Sequence, residues 1–259
     1  MNKLYTKWKG KNIKPLHLKA SFDPIFTRYG YKVINGNAYK FNSLKSKFQK
    51  LIYKRLSAFS SKEIKISEFD LENYHSFIDV CNIDHHEFIK SFSRDISNEL
   101  IKNPFIKDMI KTISINLKID FELFEKKIEF RVVRPNKGDN NPLHRDHWFP
   151  YFNNLLNIYL PLSGSWNDSS LSIVPMSHNW DDEEIQSSFS YSEQKKTIKD
   201  GIAYSVPTIK KSKKQLNIHR PDVSLGNFMI FSPRLVHGGA SNKGIETRFS
   251  LELRLKEID

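Results

Sequence analysis

Cysteine and long apolar runs are both scarce in this sequence. The one cysteine among 259 residues, Cys81, cannot form an intramolecular disulfide, and this favours a reducing compartment. Lysines interrupt residues 1–19, so no continuous apolar stretch forms there, and we expect neither a signal peptide nor a membrane span. These two absences predict a soluble, cytoplasmic protein.

Acidic residues are few relative to basic ones. Asp and Glu total 29 against 41 for Lys and Arg, which gives a formal net charge of +12 and raises the question of an anionic partner. The lysines are spread along the chain, and no nucleic-acid recognition motif accompanies them. We therefore expect a solvated basic surface and a small-molecule substrate, polar or anionic, rather than a nucleic acid. The sequence predicts no particular oligomeric state.

The first half of the chain has the apolar spacing of helices. Residues 41–59 repeat apolar side chains three and four positions apart, with lysines between them. A second tract begins after Asp84, a residue type that caps helix N-termini, and Pro104 interrupts it. Helical spacing resumes over residues 105–117. We predict that residues 1–126 form a mainly helical support region.

The second half has the sequence pattern of short strands bounded by Pro, Gly, Asn and Asp. The predicted strands are 127–135, 155–162, 171–174, 202–206, 227–232 and 247–255. Strands this short predict a sandwich or a rolled barrel, with the helices covering one outer face. We expect an α+β protein of one domain, 1–259, whose core is residues 127–259.

The run PLHRDHWFPYF, residues 142–152, places two histidines and an aspartate within four positions. On a strand, His144 and Asp146 would share a face because side chains alternate with period two. One imidazole and one carboxylate are two of the three ligands of an iron(II) facial triad. The best candidate for the third ligand is His237, which ends a β run and precedes glycines that permit a sharp turn.

The strand after that turn alternates strictly between polar and apolar side chains. Arg248 and Ser250 share one face, and a hairpin with the preceding strand would bring Arg248 beside His237. The planar fork of arginine suits bidentate binding of a carboxylate. These residues predict an anion site next to the metal.

In this order and spacing the residues resemble iron(II)/2-oxoglutarate-dependent oxygenases of the phytanoyl-CoA dioxygenase-like group. His237 follows Asp146 by 91 residues, and Arg248 follows His237 by 11. The resemblance covers about residues 127–255 and includes three further segments. The first is the aromatic run 147–152. The second, DSSLSIVPMSH at 168–178, is similar to the family's NG-x-L-x-x-x-PGSH element, and the third, PDVSLGNFMIF at 221–231, is similar to its GD strand. The chain departs from the pattern at residues 167–170, which lack the Asn-Gly turn, and at Met176, where the family has glycine.

The resemblance implies a double-stranded β-helix core, a jelly-roll or cupin-like barrel. It also implies that His144, Asp146 and His237 hold Fe(II), with 2-oxoglutarate and O2 as cosubstrates. The expected reaction hydroxylates a small polar or anionic metabolite and releases succinate and CO2. The residues expected to bind the cosubstrate are Arg248, assisted by Ser250, with Asn157, Tyr159 and Arg131 as further candidates. Trp148 and Phe149 are expected to line the substrate side.

Two other functions stay open at this point. A basic barrel without catalytic activity could bind nucleic acid through its lysines, and a metal-dependent isomerase or lyase could use the same fold. The segment His85-His86-Glu87 has a metal-like composition, but its helical surroundings predict a solvated face. The connection from Ser177 to Gly201 predicts a lid over the pocket, and residues 210–214 predict a mobile loop.

Overall fold

A computed structural model describes residues 23–258, except residues 140, 191–192, 194–196, 200–201 and 205 and the side chains of residues 92–94, 197–199 and 202–204. Residues 1–19, for which no leader is expected, lie outside this range. Within the described ranges, no helix combines the length and the apolar character that a bilayer span requires. The cytoplasmic location stays a prediction.

The helices lie in the first half of the chain, as the apolar spacing predicts. They are α1 (Pro24–Tyr29), α2 (Ala38–Phe59), α3 (Tyr74–Val80), α4 (His85–Ile101) and α5 (Pro104–Leu117). The side chain of Asp84 accepts a hydrogen bond from the backbone N–H of Glu87 and so caps α4. Pro104 is the first residue of α5, where proline costs no hydrogen bond.

The strands form one large antiparallel sheet and several small ones. They are β1 (Tyr31–Ile34), β2 (Phe121–Val133), β3 (Leu156–Ser163), β4 (Ile173–Val174), β5 (Ile185–Ser187), β6 (Thr197–Lys199), β7 (Ile202–Tyr204), β8 (Ile209–Ser212), β9 (Phe228–Phe231), β10 (Val236–His237) and β11 (Arg248–Glu257). The large sheet has the order β1-β9-β3-β11-β2. A small sheet pairs β10 with β4, and single bridges at His144 and His219 extend it on both sides. Two antiparallel sheets of this kind make the jelly-roll core of an α+β fold.

The helices pack on the outer face of the large sheet. Phe249, Leu251, Leu253 and Leu255 of β11 are buried in one apolar cluster with side chains of α2, α4 and α5. Phe249 contacts Phe48 of α2 and Tyr74 of α3, with ring centroids 5.6 and 5.2 Å apart. Because side chains alternate along a strand, the polar residues of β11 point away from the helices.

Three details differ from the sequence pattern. β1 belongs to the predicted helical region but forms an edge of the large sheet, and β2 begins at Phe121 rather than at residue 127. Lys210 and Lys211 lie in β8, which pairs with β5, so the prediction of a loop there is wrong. Backbone pairing with a distant strand orders this lysine-rich segment, and composition does not reveal such pairing. The single-domain organisation stays a prediction.

Candidate active site

The structure brings His144, Asp146 and His237 together, with one donor atom of each lying within 4.8 Å of the others. Oδ1 of Asp146 is 3.4 Å from Nε2 of His144 and 3.8 Å from Nε2 of His237. The two histidines face each other in an antiparallel bridge, and each backbone N–H donates to the other residue's carbonyl. All three side chains are buried. The group has the size and the donor types of a metal site.

The local backbone differs from the two predictions that led to this group. His144 is in a strand-like bridge, but Asp146 begins a 3-10 turn that runs to Trp148, so the alternation argument is wrong. The predicted hairpin is also absent: β10 pairs with β4, whereas β11 lies between β3 and β2 in the other sheet. His144 and His237 converge through the bridge between their two segments, and the turn that follows His144 brings Asp146 to the same place.

The glycines after His237 make the expected turn. Gly238 and Gly239 have φ values of 101° and 61°, in the region that favours glycine. A Cβ at Gly238 would lie 2.6 Å from the carbonyl oxygen of Pro142 and 3.0 Å from Nδ1 of His144. The missing side chain therefore allows the two histidine segments to approach.

Hydrogen bonds orient both imidazoles toward the carboxylate. Nδ1 of His144 donates to the carbonyl of Pro142 at 2.8 Å, and Nδ1 of His237 donates to that of Leu235 at 2.9 Å. A carbonyl only accepts, so Nδ1 carries the proton and Nε2 keeps its lone pair. Burial, assisted by the neighbouring His144, lowers the pKa of His237 to about 4, so this ring is neutral at pH 7.

Asp146 is ionised despite its burial. Burial acts to raise its pKa, but the charge of Arg254 leads the opposing effects, and the pKa lies well below its usual range. Two bare imidazole nitrogens and one carboxylate are the donor set of an iron(II) facial triad, so these residues fit the metal.

Arg248 is a buried cation with an incomplete set of partners. It is 4% exposed, and its Nη1 donates to the carbonyl of Ser169. Its Nε and the hydroxyl of Ser250 have no hydrogen-bond partner among the described residues, and no carboxylate of that set lies within 4 Å of the guanidinium. An unpaired buried charge is costly, so the position fits a carboxylate ligand. Arg248 and the three donors line one cavity of about 1110 Å³.

The further cosubstrate candidates have other partners. Nδ2 of Asn157 donates to Oδ2 of Asp146 at 3.1 Å, and the hydroxyl of Tyr159 bonds to that of Ser165 at 2.8 Å. Arg131 lines the cavity, and its Nε donates to Glu252 at 3.0 Å. Any role of these three residues toward the cosubstrate stays a prediction.

The aromatic run divides between two environments. Phe149 lines the cavity, but Trp148 packs beside Val174 and Val236 in a separate apolar cluster, so the prediction that Trp148 lines the substrate side is wrong. The 3-10 turn ends at Trp148 and Phe149 follows it in an extended conformation, so the two side chains leave the backbone in different directions.

Met176 stands where the family pattern has glycine. Met176 has φ 67°, a left-handed conformation that glycine adopts more easily. This chain therefore makes a left-handed turn there without the glycine that the resemblance implies.

Sequence reasoning missed Arg254, whose Nη2 donates to Oδ2 of Asp146 at 3.0 Å. It lies on the polar face of β11 with Arg248, Ser250 and Glu252, so the alternation could have revealed it. Sequence reasoning also misplaced His85. This residue is 6% exposed, bonds to the hydroxyl of Tyr74 at 3.1 Å and lies 3.9 Å from Asp139, so the predicted solvated face is wrong there.

The predicted lid region is a β arm rather than a plain loop. β5 pairs with β8 at its base, and β6 pairs with β7 farther out. Arg145 lies between His144 and Asp146 in the sequence, and its side chain is fully buried. It donates to the carbonyls of Ser177 and Trp180 at the base of the arm. The arm is thus attached directly to the metal loop, and its lid role stays a prediction.

The fold and the site together define a class of protein: a jelly-roll enzyme with a two-histidine, one-carboxylate metal site and a buried arginine in the same cavity. Iron(II)/2-oxoglutarate-dependent oxygenases have this arrangement. A family model described as phytanoyl-CoA dioxygenase (PhyH) matches residues 26–250, and the chain belongs to this family, as its motifs predict. No curated protein matches the chain.

Several solved structures share the fold. EvdO2 from Micromonospora carbonacea var. aurantiaca, complexed with 2-oxoglutarate, is 12% identical with a TM-score of 0.57, over 93% of this chain and 91% of that chain. EctD from S. alaskensis, with 2-oxoglutarate and 5-hydroxyectoine, is 13% identical with a TM-score of 0.54, over 94% of this chain and 81% of that chain. SnoK, a non-heme alpha ketoglutarate dependent carbocyclase from nogalamycin biosynthesis, is 13% identical with a TM-score of 0.51, over 95% of this chain and 87% of that chain.

Proposed function

We propose that the protein is an Fe(II)- and 2-oxoglutarate-dependent dioxygenase that hydroxylates a small polar metabolite and releases succinate and CO2. The observation that carries this proposal is that one cavity holds both the three-donor group and Arg248, the buried guanidinium without a carboxylate partner. A metal site alone would also serve an isomerase or a lyase. The additional anion site favours an enzyme that binds an acid beside its metal.

The chain's residues have distinct roles in this proposal. Nε2 of His144, Nε2 of His237 and Oδ1 of Asp146 would hold Fe(II). Arg248, with the hydroxyl of Ser250 on the same strand face, would hold the distal carboxylate of 2-oxoglutarate. When bound, the iron and its cosubstrates supply the oxidising chemistry, and the protein supplies orientation and the exclusion of water.

The cavity wall indicates the kind of substrate. Beyond the metal donors and Arg248, the wall carries several charged side chains, and its two other arginines pair with glutamates: Arg131 with Glu252 at 3.0 Å, and Arg254 with Glu129 at 3.6 Å. These two arginines are already neutralised, so beyond Arg248 they offer hydrogen-bond donors beside acceptors rather than a spare positive charge. This balance favours a neutral or zwitterionic polar substrate over an anion. Phe149 and Tyr151 add an apolar surface to the same wall.

The surface lysines give little support to a nucleic-acid function. Many of those that the structure describes form ion pairs with acidic neighbours, as Lys45 does with Glu72 and Lys256 with Glu122. An alternative outcome at the same site has more support, because SnoK, which shares the fold, is a carbocyclase. Cyclisation or desaturation would differ from hydroxylation only in the fate of the substrate after a hydrogen atom is removed.

An anaerobic titration tests the cosubstrate part of the proposal. Purified protein with Fe(II) should develop a weak visible charge-transfer band only when 2-oxoglutarate is added, and exposure to O2 should then yield succinate. A panel of neutral, zwitterionic and anionic metabolites would be ranked by how much each accelerates succinate formation. A product 16 mass units heavier indicates hydroxylation, and one 2 units lighter indicates desaturation or ring closure. Absence of both the band and succinate would refute the proposed cosubstrate.

A further inference from the structure

The two oxygens of Asp146 have different surroundings. Oδ2 accepts hydrogen bonds from Nε of Arg254 at 3.2 Å, Nη2 of Arg254 at 3.0 Å and Nδ2 of Asn157 at 3.1 Å. Oδ1 faces the Nε2 atoms of the two histidines at 3.4 and 3.8 Å. One oxygen is therefore saturated by donors from the protein, and the other faces the bare imidazole nitrogens.

The sheet itself produces this arrangement. Arg254 of β11 and Asn157 of β3 are direct register partners, so both side chains leave neighbouring strands at the same level and reach the same carboxylate oxygen. On its other side, β11 loses register with β2 between Leu253 and Leu255, opposite a bulged segment in which Glu125 and Lys126 have positive φ values. Bulges redirect side chains near functional sites, and this one occurs at Arg254.

Other contacts fix the guanidinium in place. It lies 4.1 Å from the ring centroid of Phe152, and its Nη1 is 3.6 Å from Glu129. The side chain of Arg254 is 17% exposed, and that of Asp146 is 5% exposed. The fork therefore meets the carboxylate in a fixed geometry with little competition from water.

We propose that Arg254, together with Asn157, is a positioning residue that reserves Oδ2 of Asp146 for the protein and leaves Oδ1 as the single metal-binding oxygen. This inference rests on the proposed metal site. A carboxylate without this clamp can rotate and offer both oxygens, which would occupy a coordination position that the cosubstrates require.

The sign of one mutational effect separates positioning from simple electrostatics. Removing a positive charge beside a metal site would by itself tighten the binding of a cation, because a repulsion is lost. Loss of positioning has the opposite effect, about tenfold weaker binding or more. The direction of the change in metal affinity thus reports which role dominates.

The experiment is an anaerobic titration of the metal-free full chain with Co(II), followed by visible absorption, without 2-oxoglutarate. We expect Arg254→Met to bind Co(II) at least about tenfold more weakly than the wild type and to show a changed ligand-field spectrum. Arg254→Lys keeps the charge but not the fork, and should be weakened in the same direction. Lys256→Met, which removes a cation from the same strand where it pairs with Glu122, should bind like the wild type.

Wild-type or tighter Co(II) binding by Arg254→Met, with an unchanged spectrum, would overturn the positioning role. Far-UV circular dichroism checks that each variant is folded. If Arg254→Met is not folded, Co(II) binding by Arg254→Lys and Asn157→Ala tests the positioning role instead. His144→Ala separates this proposal from the previous one. If that variant retains full Co(II) binding, the metal site itself is wrong; if it loses binding while the Arg254 variants do not, only the positioning role is wrong.

Discussion

Arg248 and Arg254 leave the same face of β11 six residues apart, and only Arg254 meets a carboxylate. Arg254 donates to Asp146 at 3.0 Å, whereas Arg248 has no acidic group within 4 Å among the described residues. Burial acts first to lower the pKa of both guanidiniums, but Asp146 and Glu129 more than reverse this effect at Arg254. One strand thus carries a satisfied arginine and an unsatisfied one in the cavity of the metal donors, and only the second is suited to bind an external acid.

Arg248 should determine affinity for 2-oxoglutarate. Arg248→Ala removes the buried cation and its paired donors, and we expect the dissociation constant of 2-oxoglutarate to rise about 100-fold or more. Anaerobic titration of the Fe(II)-loaded protein with 2-oxoglutarate, followed by the visible charge-transfer band, measures this dissociation constant. Arg131→Ala tests the other candidate arginine and should have a small effect, since Arg131 is already paired with Glu252. A larger effect at Arg131 than at Arg248 would reverse the assignment.

Gly238 should be required for metal binding, and Gly226 should not. Both have φ near +90°, so alanine at either position costs about 1 kcal/mol or more of stability. Only at Gly238 would the new Cβ meet the Pro142 carbonyl and the His144 ring; at Gly226 it meets the side chain of Phe41 at an ordinary 3.7 Å. Gly238→Ala should weaken Co(II) binding about tenfold, whereas Gly226→Ala binds normally. Equal metal affinities in the two variants would show that the close approach is unimportant.

Phe249 should couple the helical layer to the sheet that carries Arg248. It is fully buried against Phe48 and Tyr74, so Phe249→Ala should lower the free energy of unfolding by about 3–5 kcal/mol. Tyr39→Ala, an aromatic truncation at an 86% exposed site on α2, should change it by about 0.5 kcal/mol or less. Denaturant unfolding of the two variants provides the comparison. If Phe249→Ala lowers the free energy of unfolding no more than Tyr39→Ala does, this packing of Phe249 is contradicted.

His85 should make stability depend on pH. Burial first, and then Arg134, lower its pKa to about 4 from an ordinary value near 6.5, so the folded state holds fewer protons than the unfolded state between these values. Stability is therefore fully present above pH 6.5 and is lost as pH falls toward 4, by roughly 3 kcal/mol at most from this residue. Denaturant unfolding of metal-free protein at pH 7, 6 and 5 measures the slope. His85→Gln should reduce it, and an unchanged slope would mean that His85 does not contribute.

Sequence alone identified the residue types of the site and their order along the chain. The triad, Arg248 and the glycines after His237 were all predicted from motif and spacing, and the helical tracts and the two faces of β11 from periodicity. These features are local: a cap, a proline, a glycine or an alternating strand has its effect within a few neighbouring positions.

Tertiary structure decided which residues meet. The pairing of β11 with β3 places Arg254 beside Asn157, and the facing of the two sheets brings Arg254 to Asp146, 108 residues away in sequence. Packing between helices buries His85 against Tyr74, and Trp148 packs against the apolar cluster that contains Val174 and Val236. Periodicity assigns a side chain to a face of its own element, but its partner on that face comes from strand register and layer packing, which join segments far apart in the chain.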